Sequence, residues 1–236
     1  MTVNILGLIP ARGGSKGIPQ KNIVNLAGKP LLAYTCEAAK SSKKLDRIVL
    51  NTDDQKIARV GQEYGVEIPF YRPSELAGDE TPILPVIQHT LKWFEDNESV
   101  VFDVIVLLQP TSPLRRGYHI DAAIDLMMES QADTVVSVRT VPHNFNPVSL
   151  MKLRNDGFLE PWMQGEMILR RQDKPEVFAR NGPAILAVRR SVIDSGRLYG
   201  DSILPLTMSA VESLDIDDEN DLLMAEAIIS LNKGRN

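Results

Sequence analysis

The chain has 236 residues, a length that suits one large domain or one domain with an insert and that can bury a sizeable core. Its 26 Lys and Arg residues against 31 Asp and Glu residues give a net charge of −5, which argues against a protein whose main task is to bind nucleic acid. With 43% hydrophobic and 24% charged residues, the composition is typical of a globular protein and not of a disordered one.

Single features of the sequence exclude further classes. The one cysteine, Cys36, excludes an intramolecular disulfide and metal sites built from several cysteines, and we interpret it as a small buried residue of a helix. No apolar run approaches the roughly 20 residues that a membrane helix needs. The N-terminus lacks the basic start of a signal peptide. We therefore expect a cytoplasmic protein that does not bind a membrane.

Short apolar runs alternate with amphipathic segments along the first 139 residues, a pattern typical of parallel strands connected by helices. The predicted strands are residues 5–9, 47–51, 66–70, 103–108 and 134–139. The predicted helices are residues 31–40, 55–64, 79–95 and 120–129, the second of them capped by the preceding Thr52-Asp53-Asp54 segment. The pattern predicts a mainly parallel sheet with helices on both faces.

The pattern changes between residues 140 and 180. This segment contains prolines, an Asn-Asp-Gly turn and short alternating runs, which indicate hairpins. The α/β pattern returns at residues 184–188, and a last helix is predicted over residues 218–231. The sequence thus predicts one α/β domain formed by residues 1–139 and 181–236, with a small projecting β-rich insert at residues 140–180.

Residues 10–22 (PARGGSKGIPQKN) directly follow the first predicted strand. This position lies outside the carboxyl edge of a parallel sheet, where α/β proteins bind ligands. From Arg12 to Asn22 the segment holds three cations, three glycines and no acid, so that backbone N–H groups and positive side chains can approach an anion. It matches neither the kinase-type phosphate loop nor the dinucleotide-binding glycine pattern. We interpret it as a polyphosphate site, with a solvated surface turn as the alternative.

Residues 107–115 (LLQPTSPLR) follow another predicted strand. Gln109 can both donate and accept hydrogen bonds, as the recognition of a base or a ribose requires. Two prolines stiffen the loop and lower the entropy that is lost on binding. The same residues are also compatible with a rigid turn that has no role in binding.

Two acidic residues near the C-terminus form a candidate metal site. Asp215 and Asp217 are two residues apart, so on a strand they would face the same side and offer oxygens to one Mg²⁺. The alternative is helix capping, because acids accumulate at the start of a helix. We assign the following acids, Asp218, Glu219 and Asp221, to that cap.

Arginine side chains in the last part of the insert are candidates for binding an acidic substrate. Arg180 precedes Asn181 and Gly182, and Arg171 lies about one strand length earlier. Arginine binds carboxylates through two parallel hydrogen bonds. The Asn-Gly pair is also a favoured turn, so the pattern leaves both interpretations open.

Taken together, these segments resemble the CMP-sialic acid synthetase family (acylneuraminate cytidylyltransferases). The matching blocks stand in family order and span nearly the whole chain apart from the insert: residues 9–23, 28–32, 51–54, 72–82, 107–115 and 214–226. The resemblance implies a Rossmann-like nucleotidyltransferase fold and a homodimer. It implies the Mg²⁺-dependent transfer of CMP from CTP to the anomeric hydroxyl of a nine-carbon α-keto acid sugar, with release of pyrophosphate.

The resemblance also implies roles for individual residues. The insert would help to complete the sugar site of the other subunit, together with the substrate-binding candidates Gln109, Arg171, Arg180 and Asn181. Asp215 and Asp217 would bind Mg²⁺, and the catalytic residues would be Arg12, Lys21 and Asp217. The nucleotide-binding residues would be Ala11, Arg12, Gly13, Ser15, Lys16, Lys21, Asn22 and Gln109.

The sequence departs from the family pattern on the sugar side. Family members that act on N-acetylneuraminate commonly have a tyrosine four residues after the asparagine, whereas Asn181 is followed by Gly-Pro-Ala-Ile. The arginine that often stands two residues before that asparagine is at position 180 instead. N-acetylneuraminate, legionaminate and pseudaminate therefore all stay open as acceptors, and an eight-carbon Kdo-type acid fits less well. A nucleotide-sugar-dependent glycosyltransferase and a non-catalytic CTP-binding subunit are the alternative functions.

Overall fold

The computed structural model describes residues 3–14, 17–163, 168 and 170–233. Its strands are β1 (Ile5–Pro10), β2 (Asn25–Leu26), β3 (Lys29–Pro30), β4 (Arg47–Asn51), β5 (Val104–Leu107), β6 (Thr134–Thr140), β7 (Met151–Leu153), β8 (Leu159–Pro161), β9 (Phe178–Arg180), β10 (Leu186–Arg189) and β11 (Ile203–Thr207). Its α-helices are α1 (Leu31–Ser41), α2 (Gln55–Glu63), α3 (Ile83–Glu98), α4 (Gly117–Ser130), α5 (Arg190–Asp194) and α6 (Glu219–Lys233).

Seven strands of the described chain form one mixed sheet in the order β11-β6-β10-β5-β1-β4, with β9 also paired to β6. β1 runs parallel to β4 and β5, and β6 runs parallel to β11. β10 is antiparallel to both of its neighbours, β5 and β6, so those two strands point in the same direction. Five of these seven described strands therefore share one direction, which confirms the prediction of a mainly parallel α/β sheet.

Helices cover both faces of this sheet, because successive apolar side chains of β1 point to opposite faces and both sets are buried. Ile5 and Ile9 pack against α1, α2 and α4, whereas Leu6 and Leu8 pack on the opposite face against α3 and α5. Full burial of one such side chain is worth about 1.5–3 kcal/mol. α6 contributes to a third cluster, in which it packs against the start of α1. Cys36 lies in the first cluster and is fully buried, as the sequence predicts.

The strand that ends the predicted insert runs antiparallel to β6, and the sequence pattern does not predict this direction. β9, at the end of the 140–180 segment, pairs antiparallel with the end of β6 and so belongs to the main sheet. Residues 141–177 thus form the connection of a wide hairpin, and a hairpin connection returns the chain antiparallel. β10 continues in the same direction along β6, which explains why it is antiparallel within a mainly parallel sheet.

Within this connection, β7 and β8 form a separate antiparallel hairpin. Its turn is formed by Asn155, Asp156 and Gly157, as the sequence predicts, and Gly157 has a φ of 86° that favours glycine. Residues 151–159 are all exposed. None of the described helices combines the length with the apolar character that a membrane crossing requires.

The structure differs from the predicted elements in three places. Residues 66–70 do not form a strand, since only Glu67 makes an isolated bridge to Val49. The third helix begins at Ile83 rather than at residue 79, because Pro82 caps it in an extended conformation. The pattern misses β11, which contains Pro205; a proline is tolerated there because β11 is an edge strand of the sheet.

The topology brings the loops that carry candidate site residues together at the end of the sheet where the parallel strands have their carboxyl ends. The carboxyl ends of β1, β4, β5 and β11 lead into residues 11–20, 52–54, 108–116 and 208–218. The start of β10 lies at the same edge because β10 runs in the opposite direction. Segments that are up to 200 residues apart in the sequence can therefore meet there.

Candidate functional site

The loop after β1 is held against the loop after β4. The backbone N–H of Ala11 donates to the carbonyl of Asn51 at 3.0 Å, and that of Gly13 donates to Oδ1 of Asp53 at 2.9 Å. A Cβ on Gly13 would lie only 3.0 Å from the side chain of Asp54, so a larger residue at position 13 would have to displace that side chain. Both amides are thus bonded to protein acceptors and shape the loop. Ser15 and Lys16 lie outside the described residues.

Arg12 connects this loop to a third segment of the chain. Its Nη1 donates to the carbonyl of Gly78 at 2.8 Å, and its Nη2 forms an ion pair with Asp79 at 2.9 Å. Nδ2 of Asn22, a buried side chain, donates to the carbonyl of Arg12 at 2.9 Å. Asn22 therefore fixes the backbone of Arg12, while the guanidinium faces the segment that precedes α3.

Lys21 meets the late acids directly. Its Nζ lies 2.9 Å from the carbonyl of Ile216, 3.3 Å from that of Asp217 and 3.5 Å from the Asp217 carboxylate. A Cβ on Gly17 would lie 2.6 Å from the Asp217 carbonyl, so the glycine-rich loop and the acids are in contact along their backbones. The structure therefore brings together two segments that are 196 residues apart.

Asp215 and Asp217 do not lie on a strand, which corrects the sequence-based expectation. The N–H of Ile216 between them donates to the carbonyl of Thr111 at 2.8 Å, and the Ile216 side chain is fully buried. The two acids flank this anchor, and they differ in exposure: the side chain of Asp217 is 83% exposed, whereas Asp215 is half-buried. The segment lies outside the regular strands and helices, and at Asp217 it enters the cap of α6, where the backbone N–H of Asp217 donates to the Asp221 carboxylate.

The acids that follow form the predicted helix cap. Oδ1 of Asp218 accepts from the backbone N–H groups of Asn220 and Asp221 at 2.8 and 3.1 Å. Oδ2 of Asp221 accepts from the N–H groups of Asp217 and Asp218 at 2.9 and 3.1 Å. These bonds satisfy amides at the start of the helix, so the carboxylates of Asp218 and Asp221 serve the fold.

The Asp215 carboxylate faces the loop after β5 and the turn before β10. Oγ of Ser112 donates to it at 3.2 Å, and a Cβ on Gly182, whose φ is 110°, would lie 3.3 Å from it. Burial raises the pKa of Asp215, and the nearby Asp217 carboxylate raises it as well. The pair therefore carries two carboxylates that repel each other.

A buried arginine that the sequence analysis does not single out organises the loop after β5. Arg115 is 1% exposed, and its guanidinium donates to the carbonyls of Gln109 and Ala184 at 3.0 and 2.7 Å and to the Thr35 hydroxyl at 2.6 Å. Burial lowers its pKa to about 9. The side-chain amide of Gln109 makes no hydrogen bond within the described residues and can face a ligand.

A second buried arginine, Arg72, supports the loop after β4. It donates to the side-chain oxygen and the carbonyl of Asn51 at 2.5 and 2.8 Å, and burial lowers its pKa to about 10. Arg72 belongs to a block that matches the family pattern, but no local feature of the sequence signals that it is buried. Its role in the described residues is to fix the loop that carries Asp53.

Asn181 lies at a break between β9 and β10. It is 5% exposed; its Oδ1 accepts from the Ser137 hydroxyl at 2.6 Å, and its Nδ2 donates to the Ser213 hydroxyl at 2.9 Å. The Asn181 side chain therefore connects β6 to the segment that carries Asp215. Both ends of its amide are bonded to protein groups.

A cleft of about 590 Å³ opens beside these groups. It is lined by Arg139, Arg180, Asn181 and Asp215, with Met224 of α6 on an apolar wall. Arg171 lines a separate depression of about 260 Å³ in the 141–177 connection. The structure therefore places Arg180 and Asn181 beside Asp215 but does not bring Arg171 to the same cleft.

The donor chemistry of the two acids fits Mg²⁺. This ion takes carboxylate oxygens from few protein groups and keeps several waters or phosphate oxygens. Asp215 and Asp217 supply two carboxylates, and their mutual repulsion would be relieved by a divalent cation. Within the described residues no group of three or more His, Cys, Asp or Glu side chains could hold a metal, so the remaining ligands would come from water and substrate.

Comparisons with known proteins identify the family and the fold of the chain. The family model described as cytidylyltransferase matches residues 6–201. The chain is 34% identical to the CMP-N,N'-diacetyllegionaminic acid synthase of Legionella pneumophila over 98% of each chain. It is 31% identical to the N-acylneuraminate cytidylyltransferase of Escherichia coli over 97% of its own length and spans 52% of that relative. A solved structure of a CMP:2-keto-3-deoxy-manno-octonic acid synthetase complexed with CTP superimposes with a TM-score of 0.70 at 16% identity, covering 97% of this chain and 99% of that one.

Proposed function

The chain is a nucleotidyltransferase of the cytidylyltransferase family, which includes the CMP-sialic acid synthetases, and from this membership we propose its reaction. We propose that it transfers CMP from CTP to the anomeric hydroxyl of a nine-carbon α-keto acid sugar and releases pyrophosphate. The observation that carries the proposal is the contact between Lys21, on the cationic loop, and Asp217 of the acid pair at the same sheet edge.

In the proposed reaction, the anomeric oxygen attacks the α-phosphorus of CTP in line. A new phosphorus–oxygen bond forms, the bond to the bridging oxygen breaks, pyrophosphate leaves and the hydroxyl proton passes to solvent. Little covalent work falls to the protein, because catalysis of phosphoryl-type transfer consists mainly of positioning and of stabilising negative charge. A cationic loop opposite a pair of carboxylates supplies both requirements.

Arg12 and Lys21 are the residues that we assign to the phosphates. The Arg12 side chain is 29% exposed beside Asp79, so phosphate oxygens can reach its guanidinium. Lys21 is held by two backbone carbonyls, which leaves its positive charge uncompensated except by the exposed Asp217 carboxylate. Both charges would stabilise the departing pyrophosphate.

The remaining candidates divide into binding and positioning residues. Gln109 has a free side-chain amide at the end of β5, which supports a direct contact with the nucleotide or the sugar. Asn22 acts through the Arg12 carbonyl, and Asn181 acts through Ser213. Roles for Ser15 and Lys16 stay predictions of the sequence.

Asp215 and Asp217 are the residues that would hold Mg²⁺. When bound, the ion would lower the pKa of the attacking hydroxyl and neutralise charge on the α-phosphate. No histidine serves as a general base in this proposal. His119 is a buried residue that accepts the backbone N–H of Arg116 at the start of α4 and lies 3.5 Å from Glu212.

The acceptor that we propose is a nonulosonate of the legionaminate or sialate type. The two sequence relatives are a CMP-N,N'-diacetyllegionaminic acid synthase and an N-acylneuraminate cytidylyltransferase. The likeness to the octonic acid synthetase, at 16% identity, supports the fold and carries no argument about the sugar. The absence of a tyrosine from residues 181–186 favours a legionaminate-like acid over N-acetylneuraminate.

We also propose a homodimer formed through the 141–177 connection. Large apolar side chains of this segment are exposed, among them Phe145, Leu153, Phe158 and Trp162 at 61%, 71%, 68% and 61%. Contiguous exposed apolar side chains mark interaction surfaces. A second copy of the chain is the partner that the family resemblance implies. The division into two subdomains and the cytoplasmic location stay predictions.

A pyrophosphate-release assay tests the proposed function. Purified protein with Mg²⁺ and CTP is mixed in turn with N,N'-diacetyllegionaminic acid, pseudaminic acid, N-acetylneuraminic acid and Kdo. We expect pyrophosphate and a CMP-sugar with at least one nine-carbon acid, and loss of the signal when ATP, GTP or UTP replaces CTP. No pyrophosphate with CTP and any of these acids, together with release of free CMP from an added CMP-sugar, would contradict the proposal and would support a glycosyltransferase.

A further inference from the structure

We propose that Arg139 binds the carboxylate of the sugar acid and thereby determines which acceptors are used. This inference rests on the proposed cytidylyltransferase reaction and adds a specificity residue to it. The sequence pattern predicts Arg180 and Arg171 as the arginines that bind the acidic substrate. Neither the motifs nor the family resemblance includes Arg139.

The strand register separates Arg139 from Arg180. In the antiparallel pairing of β6 with β9, Arg139 lies opposite Ala179, and Val138 lies opposite Arg180. Residues opposite each other in a sheet share a face, and successive residues of one strand alternate between faces. Arg139 and Arg180 therefore belong to opposite faces of the sheet.

The face of Arg139 is the one that carries the candidate site. Ser137 has the same parity as Arg139 along β6, and its hydroxyl donates to Asn181 at 2.6 Å. Asn181 in turn donates to Ser213 at 2.9 Å, two residues before Asp215. These hydrogen bonds thus connect the face of β6 that carries Arg139 to the segment of Asp215, a candidate metal ligand.

Arg180 is engaged on the other face. Val138, which shares its face, packs in the core cluster that contains Leu8 and Phe94, and Tyr199 packs against that cluster. Nη1 of Arg180 donates to the Tyr199 hydroxyl at 2.9 Å, and its guanidinium carbon lies 5.3 Å from the centre of the Tyr199 ring. Arg180 lines the cleft, but its guanidinium already has a hydroxyl and an aromatic partner.

The guanidinium of Arg139, by contrast, has no ion-pair partner among the described residues. It is half-buried and lines the 590 Å³ cleft together with Asp215, and its side chain makes no hydrogen bond or ion pair with any described residue. A partly desolvated guanidinium without a partner is unfavourable, and an incoming carboxylate relieves this through two parallel charge-assisted hydrogen bonds. The cleft therefore offers one free cation on the site face, within the described residues, and that cation is Arg139.

The chemistry of the acceptor explains why this cation would matter. In the ring form of an α-keto acid sugar, the anomeric carbon carries both the carboxylate and the hydroxyl that attacks CTP. An arginine that holds the carboxylate thus orients the hydroxyl attached to the same carbon. A sugar without the carboxylate would leave Arg139 unpaired in the cleft, and such unpaired polar groups give strong discrimination.

The test compares three arginine variants in steady-state assays of pyrophosphate release. Arg139→Gln removes the proposed contact, Arg180→Gln removes the contact that the sequence pattern favours, and Arg197→Gln is a control in an exposed pair with Asp201. The probe is the nine-carbon acid that the wild-type chain uses best, together with its carboxamide. CTP affinity and circular dichroism are measured for each variant to verify folding.

We expect Arg139→Gln to lower kcat/KM for the sugar acid by about 30-fold or more, the range for truncation of one partner of a buried charge pair, while KM for CTP stays unchanged. Arg139→Lys should recover part of this loss because it retains the charge but not the planar fork. The wild-type chain should discriminate strongly against the carboxamide, and Arg139→Gln should discriminate weakly, since the substitution and the carboxamide remove the same interaction.

Three results would overturn the inference: an unchanged preference for the acid over the carboxamide in Arg139→Gln, a larger loss in Arg180→Gln, or a rise in KM for CTP instead of the acceptor. If the wild-type chain releases no pyrophosphate with any acid of the panel, the proposed function itself fails. That outcome is distinct from an active wild type whose Arg139→Gln variant has unchanged kinetics.

Discussion

At the loop after β1, polar groups are hydrogen-bonded to distant segments of the chain, whereas along β7 and β8 large apolar side chains are exposed. Ala11, Gly13 and Lys21 each contact a distant segment through hydrogen bonds of 2.9–3.3 Å. In the hairpin, Phe158 and Leu159 are 68% and 62% exposed, and the ion pair between Lys152 and Glu160 is at the surface.

We interpret this difference as a sign of how the two halves of the proposed site would be completed. The nucleotide half is assembled within one chain, because the sheet edge brings five loops together and their hydrogen bonds hold them in place. The hairpin exposes its apolar side chains, and in the proposed homodimer a second copy of the chain would cover them. We therefore expect substitutions in the first region to affect chemistry, and substitutions in the second to affect assembly.

The largest expected effect is at Asp217. Asp217→Asn should abolish Mg²⁺-dependent turnover, because one of the two carboxylates proposed to hold the ion becomes neutral. Asp218→Asn is the matched control: it changes the neighbouring acid, which caps α6, and asparagine caps a helix about as well as aspartate. Pyrophosphate release as a function of Mg²⁺ concentration measures both. Wild-type metal dependence in Asp217→Asn would contradict the assignment of Asp217 as a metal ligand.

Removal of a phosphate-binding cation is the next effect. Arg12→Ala and Lys21→Ala should each cost about 2–4 kcal/mol of transition-state stabilisation, which is roughly a 30- to 900-fold loss of kcat. The control is Lys44→Ala, which removes a cation from an exposed pair with Asp125 that is worth about 0–1 kcal/mol. Normal turnover in both loop variants would contradict the assignment of this loop to the triphosphate.

The hairpin should respond in a different way. Phe158→Ser and Trp162→Ser should each weaken self-association, by about 2 kcal/mol or roughly 30-fold in the dimer dissociation constant if they are central contacts. CTP affinity should be unchanged, because the nucleotide half is complete in one chain. Sedimentation velocity at several concentrations measures the dimer. Leu231→Ser, at a residue of α6 that is 65% exposed, is the control, and an equal effect there would argue against a hairpin interface.

The smallest expected effect concerns folding stability. Asn181→Ala should lower the free energy of unfolding by about 1–3 kcal/mol, because the buried Ser137 and Ser213 hydroxyls lose a partner. Asn155→Ala, in the exposed turn of the hairpin, should change it by less than about 0.5 kcal/mol. Urea denaturation followed by circular dichroism compares the two, and equal stabilities would contradict the structural role of Asn181.

Local patterns in the sequence predicted much of the fold. The predicted limits of β1, β4, β5 and β6 agree with the structure within one or two residues, because each strand is an apolar run with clear ends. The cap at Asp54 was also predictable, and its side chain accepts from the N–H groups of Lys56 and Ile57. β11 was missed because Pro205 argues against a strand unless the strand is known to lie at an edge.

The residue types of the candidate site could be predicted from the sequence, but the contacts between its distant segments could not. Glycines and cations that directly follow a strand indicate an anion site, since position after a strand is a local property. Nothing local indicates that Arg115 and Arg72 are buried, or that Asn22 and Asn181 bond to protein groups instead of facing a ligand. Such facts depend on which distant segments come together.

By itself, the sequence determined the alternation of strands and helices in the first 139 residues, the cationic loop after β1 and the resemblance to one enzyme family, because all three depend on residues close together in the chain. The tertiary structure alone decided that Lys21 meets Asp217 and that Arg139, rather than Arg180, shares the face of the site. The reason is physical: a strand's register and neighbours are set by packing of the whole sheet, and a shift of one residue would reverse which side chains face the cleft.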